Sequence, residues 1–213
     1  MFRFFSLNGC EKNLKKLQPD AILFDMDGVL VDSLDAWWKS LNQALKKFGY
    51  NEISRDEFIR EYWGHDLFDN IKKMNISMDV GKLCNKLYKM NVDDVKIYPG
   101  VKTVLQRLEK YKKSIITNTP KDSTVEILRR LDIKKYFEFV LTSDDVSIAK
   151  PSPEIILKSC EILGVKVEDV ILVGDTISDV KAGRSAGCRV VGINVDADYT
   201  ITSVSELTKL IIL

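Results

Sequence analysis

The apolar positions of this chain change period along its length, and each change marks a change of element. Ala21-Ile22-Leu23-Phe24 is an unbroken apolar run, the pattern of a strand buried on both faces. From 33 to 96 the period becomes helical. Leu34, Trp37, Trp38, Leu41, Ala44, Leu45 and Phe48 fall on one stripe, which Gly49 ends. Ser54 with Glu57 three residues on is a capping box, and it opens a helix that stops near Gly64. Residues 66–74 and 79–90 keep the helical pattern. No strand pattern occurs in 33–96, so its Trp and Phe residues read as the core of a helical unit. After Tyr98-Pro99-Gly100 the two patterns alternate. Helices are expected over 101–111, 121–131, 152–164 and 177–186, and strands over 114–117, 139–141, 170–173 and 190–193. Ser152-Pro153 opens one of those helices as N-cap and first helical residue, and Gly164 closes it.

Strands alternating with helices imply an α/β fold with a parallel sheet covered on both faces. The chain divides into an N-terminal extension (1–19), a sheet body (20–32 and 97–213) and an all-helical unit inserted after the first strand (33–96). The crossings at 32–33 and 97–99 are expected to carry no regular element, so the inserted unit is expected to move as one lid about them.

Composition narrows the function. The 213 residues, 45% of them hydrophobic, suffice for a sizeable core. Lys and Arg number 32 against 31 Asp and Glu, so a dedicated nucleic-acid surface is not expected. No apolar run approaches the roughly 18 residues of a membrane helix. Phe4-Phe5-Ser6-Leu7 is too short for the core of a secretion signal. Cys10, Cys84, Cys160 and Cys188 are scattered and there is one His, so neither a zinc site nor a disulfide framework is suggested. Reduced thiols and a cytoplasmic protein, monomeric or dimeric, are expected.

Candidate chemistry follows from what stands after each strand, because open parallel sheets bind ligands beyond their carboxyl ends. The first strand is followed by Asp25 and Asp27, and Gly28 permits a tight turn. The second supplies Thr117 and Asn118. The loop after the third supplies Lys150. The fourth supplies Gly174-Asp175-Thr176-Ile177-Ser178-Asp179. Clustered carboxylates need a counter-cation. Oxygen donors without His or Cys favour Mg²⁺. Mg²⁺ and Lys150 together would make room for a phosphate, with Thr117 and Asn118 as donors to its oxygens. A carboxylate can then attack phosphorus while a second serves as acid and base.

With these motifs in order over roughly 20–196, the sequence resembles the haloacid dehalogenase superfamily. It is most similar to the phosphoglycolate phosphatase and β-phosphoglucomutase branch. That resemblance implies a Rossmann-like core with a small helical cap. It implies Asp25 as nucleophile and metal ligand, and Asp27 as acid/base that also binds Mg²⁺ through its backbone carbonyl. It implies Thr117, Asn118 and Lys150 as phosphate-binding residues, Asp175 as the second carboxylate ligand, and Asp179 as the residue that orders water or Lys150. Gly64-His65-Asp66 matches the cap loop that reads the leaving group. The implied substrate is a small phosphorylated metabolite, phosphoglycolate-like, with sugar phosphates and pyrophosphate open. A cationic lid built from Arg60, His65 and nearby lysines would suit such an anion.

Three rivals remain. Dehalogenation has no use for an acid at Asp27. Mutases of the β-phosphoglucomutase type carry a His near the place that Trp37 holds here. A phospho-accepting switch would have no helical insertion and no late G-D-x-x-x-D.

Overall fold

A computed structural model describes residues 16–213. In chain order the strands are β1 (Ala21–Phe24), β2 (Val31–Asp32), β3 (Lys96–Ile97), β4 (Lys112–Ile116), β5 (Phe139–Leu141), β6 (Val170–Gly174), β7 (Arg189–Ile193) and β8 (Tyr199–Ile201). Four helices lie between β2 and β3: α1 (Leu34–Lys47), α2 (Arg55–Glu61), α3 (Leu67–Lys73) and α4 (Met78–Met90). The later helices are α5 (Val101–Arg107), α6 (Lys121–Leu131), α7 (Glu154–Leu163), α8 (Ile177–Ala186) and α9 (Leu207–Leu210).

Six strands form one parallel sheet in the order β5-β4-β1-β6-β7-β8. The first strand is central, which is why its four residues are all apolar and fully buried. Ile22 and Phe24 face one hydrophobic cluster, Ala21 and Leu23 the other, as alternation along a strand requires. The chain runs outward from β1 through β4 and β5, then returns to the opposite side for β6, β7 and β8. Strand order therefore reverses beside β1, and a crevice opens at the carboxyl ends there.

The helices α1–α4 close around a separate core of Leu41, Leu45, Phe58, Ile71, Val80 and Cys84. The indole of Trp38 donates to the carbonyl of Ile53 at 2.9 Å. The carboxamide of Asn42 donates to that same carbonyl and accepts from the Ile53 amide. These bonds tie α1 to the loop before α2.

Several expectations are corrected. The crossings into the helical unit are not irregular, and 33–96 is not free of strand. Val31 pairs with Ile97 and Asp32 with Lys96 in a two-stranded antiparallel ribbon. Tyr98 extends it by donating its amide to Leu30 at 3.0 Å. Strands of two residues are too short to show a period of two. Helix α5 stops at Arg107 because the buried Lys113 amine turns the chain, donating to the carbonyls of Leu108 and Tyr111. β4 starts two residues early, where Lys112 and Lys113 mask the apolar pattern. Neither β8 nor α9 was expected. Of the N-terminal extension, Leu17 is buried and bridged to Ile211 beside α9, while residues 1–15 lie outside the described residues. Among the described residues no helix is long and apolar enough to cross a membrane.

Candidate active site

Asp25 directly follows β1. Its amide continues the ladder, donating to Val173 at 2.9 Å. The residue is buried, at 7% exposure. One oxygen, Oδ1, accepts from the Met26 amide and pairs with Lys150 Nζ, each at 2.8 Å. Lys150 comes from the loop after β5, and the Asn118 carboxamide clamps its backbone in two directions, at 2.9 and 3.0 Å. Its Nζ also reaches Asp179 Oδ1 at 2.7 Å and the Ile116 carbonyl at 3.2 Å. Burial alone would lower the Lys150 pKa, but Asp179 and Asp25 outweigh it and hold the ammonium above the usual lysine range.

Asp179 is fully buried and doubly used. While Oδ1 faces Lys150, Oδ2 accepts from the Thr176 amide and hydroxyl, closing the capping box of α8. Asp179 therefore anchors Lys150. Asp175 stands one residue before that cap. Its Oδ2 accepts from the Trp63 indole of the helical unit at 3.2 Å, and its Oδ1 is buried without a partner. Gly28, at φ +76°, leaves the room this needs, since a Cβ there would sit 2.0 Å from Asp175 Oδ2.

Asp27 lies across the cleft among hydroxyls. Ser33 and Tyr88 donate to its Oδ1, the latter at 3.3 Å. Thr119 and Thr117 donate to its Oδ2 at 2.6 and 3.3 Å. Tyr88 is a residue of α4, fully buried and stacked on Trp37 with ring centroids 3.7 Å apart. Burial, helped by Asp27, pushes its phenol well up, so it stays a proton donor.

The expected residues thus converge from four strand ends. Asp25, Asp175 and Asp179 each offer a carboxylate oxygen within 4.8 Å of the others. Such a group of acids is costly without a cation, and Lys150 answers only part of it. Burial, set against the pull of Lys150, raises the Asp25 pKa well above the ordinary carboxylate range. Burial first, then Asp179, pushes Asp175 up to about 7. The unpartnered Asp175 Oδ1, amid oxygen donors only, is what a hard divalent cation fits.

A pH dependence follows. An acid whose pKa is about 7 when folded, against roughly 3.9 unfolded, holds an extra proton in the folded state between those values. Without a cation, stability from this group is lost as pH rises through that window. A divalent cation held there would displace the proton and reverse the loss. The rise in Tm on adding Mg²⁺ should therefore grow from about pH 5 to about pH 8, and Asp175→Asn should flatten it. An equal rise at both pH values would contradict this.

Other expectations divide. Gly64 and His65 line the cleft, whereas Asp66 does not. Its carboxylate caps α3, accepting from the amides of Phe68 and Asp69 at 2.8 and 3.2 Å. The cationic lid is not found. Arg60 pairs with Glu61, Lys73 with Glu61 and Lys72 with Asp69, all exposed and none lining the cleft. The Asn118 side chain is spent on Lys150, which leaves its backbone amide as the group that could meet a phosphate.

Sequence reasoning missed Ser33, Trp63, Tyr88 and Thr119. Only Thr119 had a signal: two residues after Thr117, it lies on the same side of an extended segment.

A family model described as haloacid dehalogenase-like hydrolase matches residues 22–193. A phosphoglycolate phosphatase of Aquifex aeolicus is 31% identical over 89% of this chain and 95% of its own length. Pyrophosphatase PpaX of Bacillus mycoides is 26% identical over 92% of this chain and 98% of its own. The crystal structure of a haloacid dehalogenase superfamily hydrolase from Geobacter sulfurreducens superposes with a TM-score of 0.76, covering 92% of this chain and all of that one, at 24% identity. That last likeness concerns the fold alone. With the acids, the lysine and the hydroxyls standing at the ends of a sheet of this topology, the chain belongs to the haloacid dehalogenase-like hydrolase family.

Proposed function

We propose that the protein is an Mg²⁺-dependent phosphatase that hydrolyses small phosphomonoesters through an aspartyl-phosphate. The observation that carries this reading is the buried pairing of Asp25 with Lys150 at 2.8 Å, beside the unpartnered oxygen of Asp175. Asp25 Oδ1 is occupied by Lys150 and the Met26 amide, which fixes the carboxylate. Its other oxygen carries none of these contacts and is the attacking atom. It forms the bond to phosphorus as the ester oxygen leaves. Asp27, oriented by Ser33, Thr119, Tyr88 and Thr117, gives its proton to that leaving oxygen. It then takes a proton from the water that attacks the aspartyl-phosphate, which frees Asp25 and inorganic phosphate. Thr117, the Asn118 amide and Lys150 hold the phosphoryl oxygens.

The cation would be held by Asp25, Asp175 and the backbone carbonyl of Asp27, and its charge would offset that of the phosphate. The helical unit, 33–96, acts as a cap. The Trp63–Asp175 bond, and Gly64 set closely against Thr176, support a position in which the cap meets the core. The buried free thiols of Cys84, Cys160 and Cys188 support a reducing, cytoplasmic setting.

The test is phosphate release in Mg²⁺ from sugar phosphates, nucleotides, phosphoglycolate and pyrophosphate. Turnover of at least one ester, abolished by chelation, is the expected result. Failure on every compound, or turnover indifferent to chelator, would remove the reading.

A further inference from the structure

The cap side of the cleft has a chemical character that its surface charges hide. It is lined by Trp37, Leu41, Phe58, Tyr62, Trp63 and Leu67. Together with the core side, it bounds about 620 Å³ of empty space, counting the solvent at its mouth. Among the described residues, Lys150 is the one lysine or arginine in the lining, and it already faces Asp25 and Asp179 at 3% exposure. The cations of α2 and α3 are turned into exposed pairs, Arg55 with Asp35, Arg60 and Lys73 with Glu61, and Lys72 with Asp69. Polar groups on the cap side are largely engaged. The Trp63 indole donates to Asp175, and the Asn70 carboxamide donates to the Tyr62 carbonyl at 2.8 Å. The imidazole of His65 stands exposed.

Resting on the phosphatase reading, we infer that the preferred leaving group is neutral, with an apolar or aromatic body, and carries no carboxylate or second phosphate. The electrostatics of the cleft require it. Asp25, Asp27, Asp175 and Asp179 face one ammonium. One divalent cation and the ammonium together do not outweigh the four carboxylates, so the site has no positive charge to spare beyond a single phosphoryl group. A second anion on the leaving group would enter among Trp37, Phe58, Tyr62 and Leu67 with no lysine or arginine to meet it and only the exposed His65 at the edge, and an unpaired charge in apolar surroundings is strongly disfavoured. A flat or branched apolar group would instead displace water from those side chains and lie against aromatic faces.

The experiment compares benzyl phosphate with 2-phosphoglycolate in Mg²⁺, because both leave as alcohols of similar basicity. Glycerol phosphate serves as a third ester. The expected result is a kcat/KM for benzyl phosphate about 10²-fold above that for phosphoglycolate, mostly through KM. A kcat/KM for phosphoglycolate equal to or above that for benzyl phosphate overturns the inference. So does release from glycerol phosphate alone, which leaves the phosphatase reading standing. Release from none of the three overturns the inference, and the phosphatase reading falls with it only if sugar phosphates, nucleotides and pyrophosphate fail as well. A converse variant, Leu67→Lys, puts a cation into the cleft away from the reacting groups. It should narrow the preference by about tenfold or more by lowering the KM for phosphoglycolate. An unchanged ratio in a folded variant counts against the inference.

Discussion

Asp25→Asn should lower turnover by about 10⁴-fold or more while the protein stays folded. An amide is too weak a nucleophile to attack phosphorus, and Asp25 is the carboxylate that Lys150 and the Met26 amide hold by one oxygen. The shape of the side chain is kept. The asparagine carbonyl can still accept both of those bonds, and Lys150 keeps Asp179 as its counter-ion. Burial already drives Asp25 toward its neutral form in the absence of a cation, so removing its charge costs little there. The metal-free variant should melt within a few degrees of the parent or slightly above it. Phosphate release and a thermal melt on the same sample decide the matter. Residual turnover above a few per cent would take Asp25 out of the mechanism. A collapsed melting temperature would mean that its role is structural.

Lys150→Met should have the largest effect on stability. It removes the ammonium from a buried trio in which Lys150 is 3% exposed and Asp179 not exposed at all. Breaking a buried pair by taking one partner away typically costs about 3–5 kcal/mol, because a charge is left behind. For a chain of this size that corresponds to a fall in Tm of roughly 6–20 °C. The sign of the pH dependence separates this from a simple packing defect. The stranded carboxylates bind protons more readily once Lys150 is gone, so the deficit should shrink as pH falls from about 8 to about 5. A pH-independent deficit would point to lost packing of the lysine stem. Activity should fall with Asp25→Asn-like severity, since in the proposed mechanism the same ammonium neutralises the phosphate.

The sheet was legible in the sequence because burial on both faces leaves a local mark. Ala21–Phe24 and Val170–Val173 are unbroken apolar runs, and nothing else in their neighbourhood resembles them. The acids at the rim were legible for the same reason, since a strand's end fixes what comes next. The two-residue ribbon of β2 and β3 was not legible, because pairing between residues 64 and 66 apart leaves no period in either short segment. The cap was legible as four helices but misread in character. Its many lysines and Arg60 suggested a cationic roof, yet a helix shows the sequence only which residues share a face, not which face meets the core.

By itself, then, the amino-acid order determined the parallel sheet, the helical insertion, and the identity of Asp25, Asp27, Thr117, Lys150, Asp175 and Asp179 as neighbours of one rim. Tertiary structure alone decided what surrounds them. Tyr88 reaches Asp27 across 61 residues of chain, and Trp63 reaches Asp175 across 112. It also decided that Asp66 caps a helix and that aromatic side chains, not cations, face the cleft. The reason is physical. Local pattern encodes burial, which each residue carries with it, whereas a hydrogen bond or an unpaired charge belongs to two groups and exists only when the fold brings both to the same place.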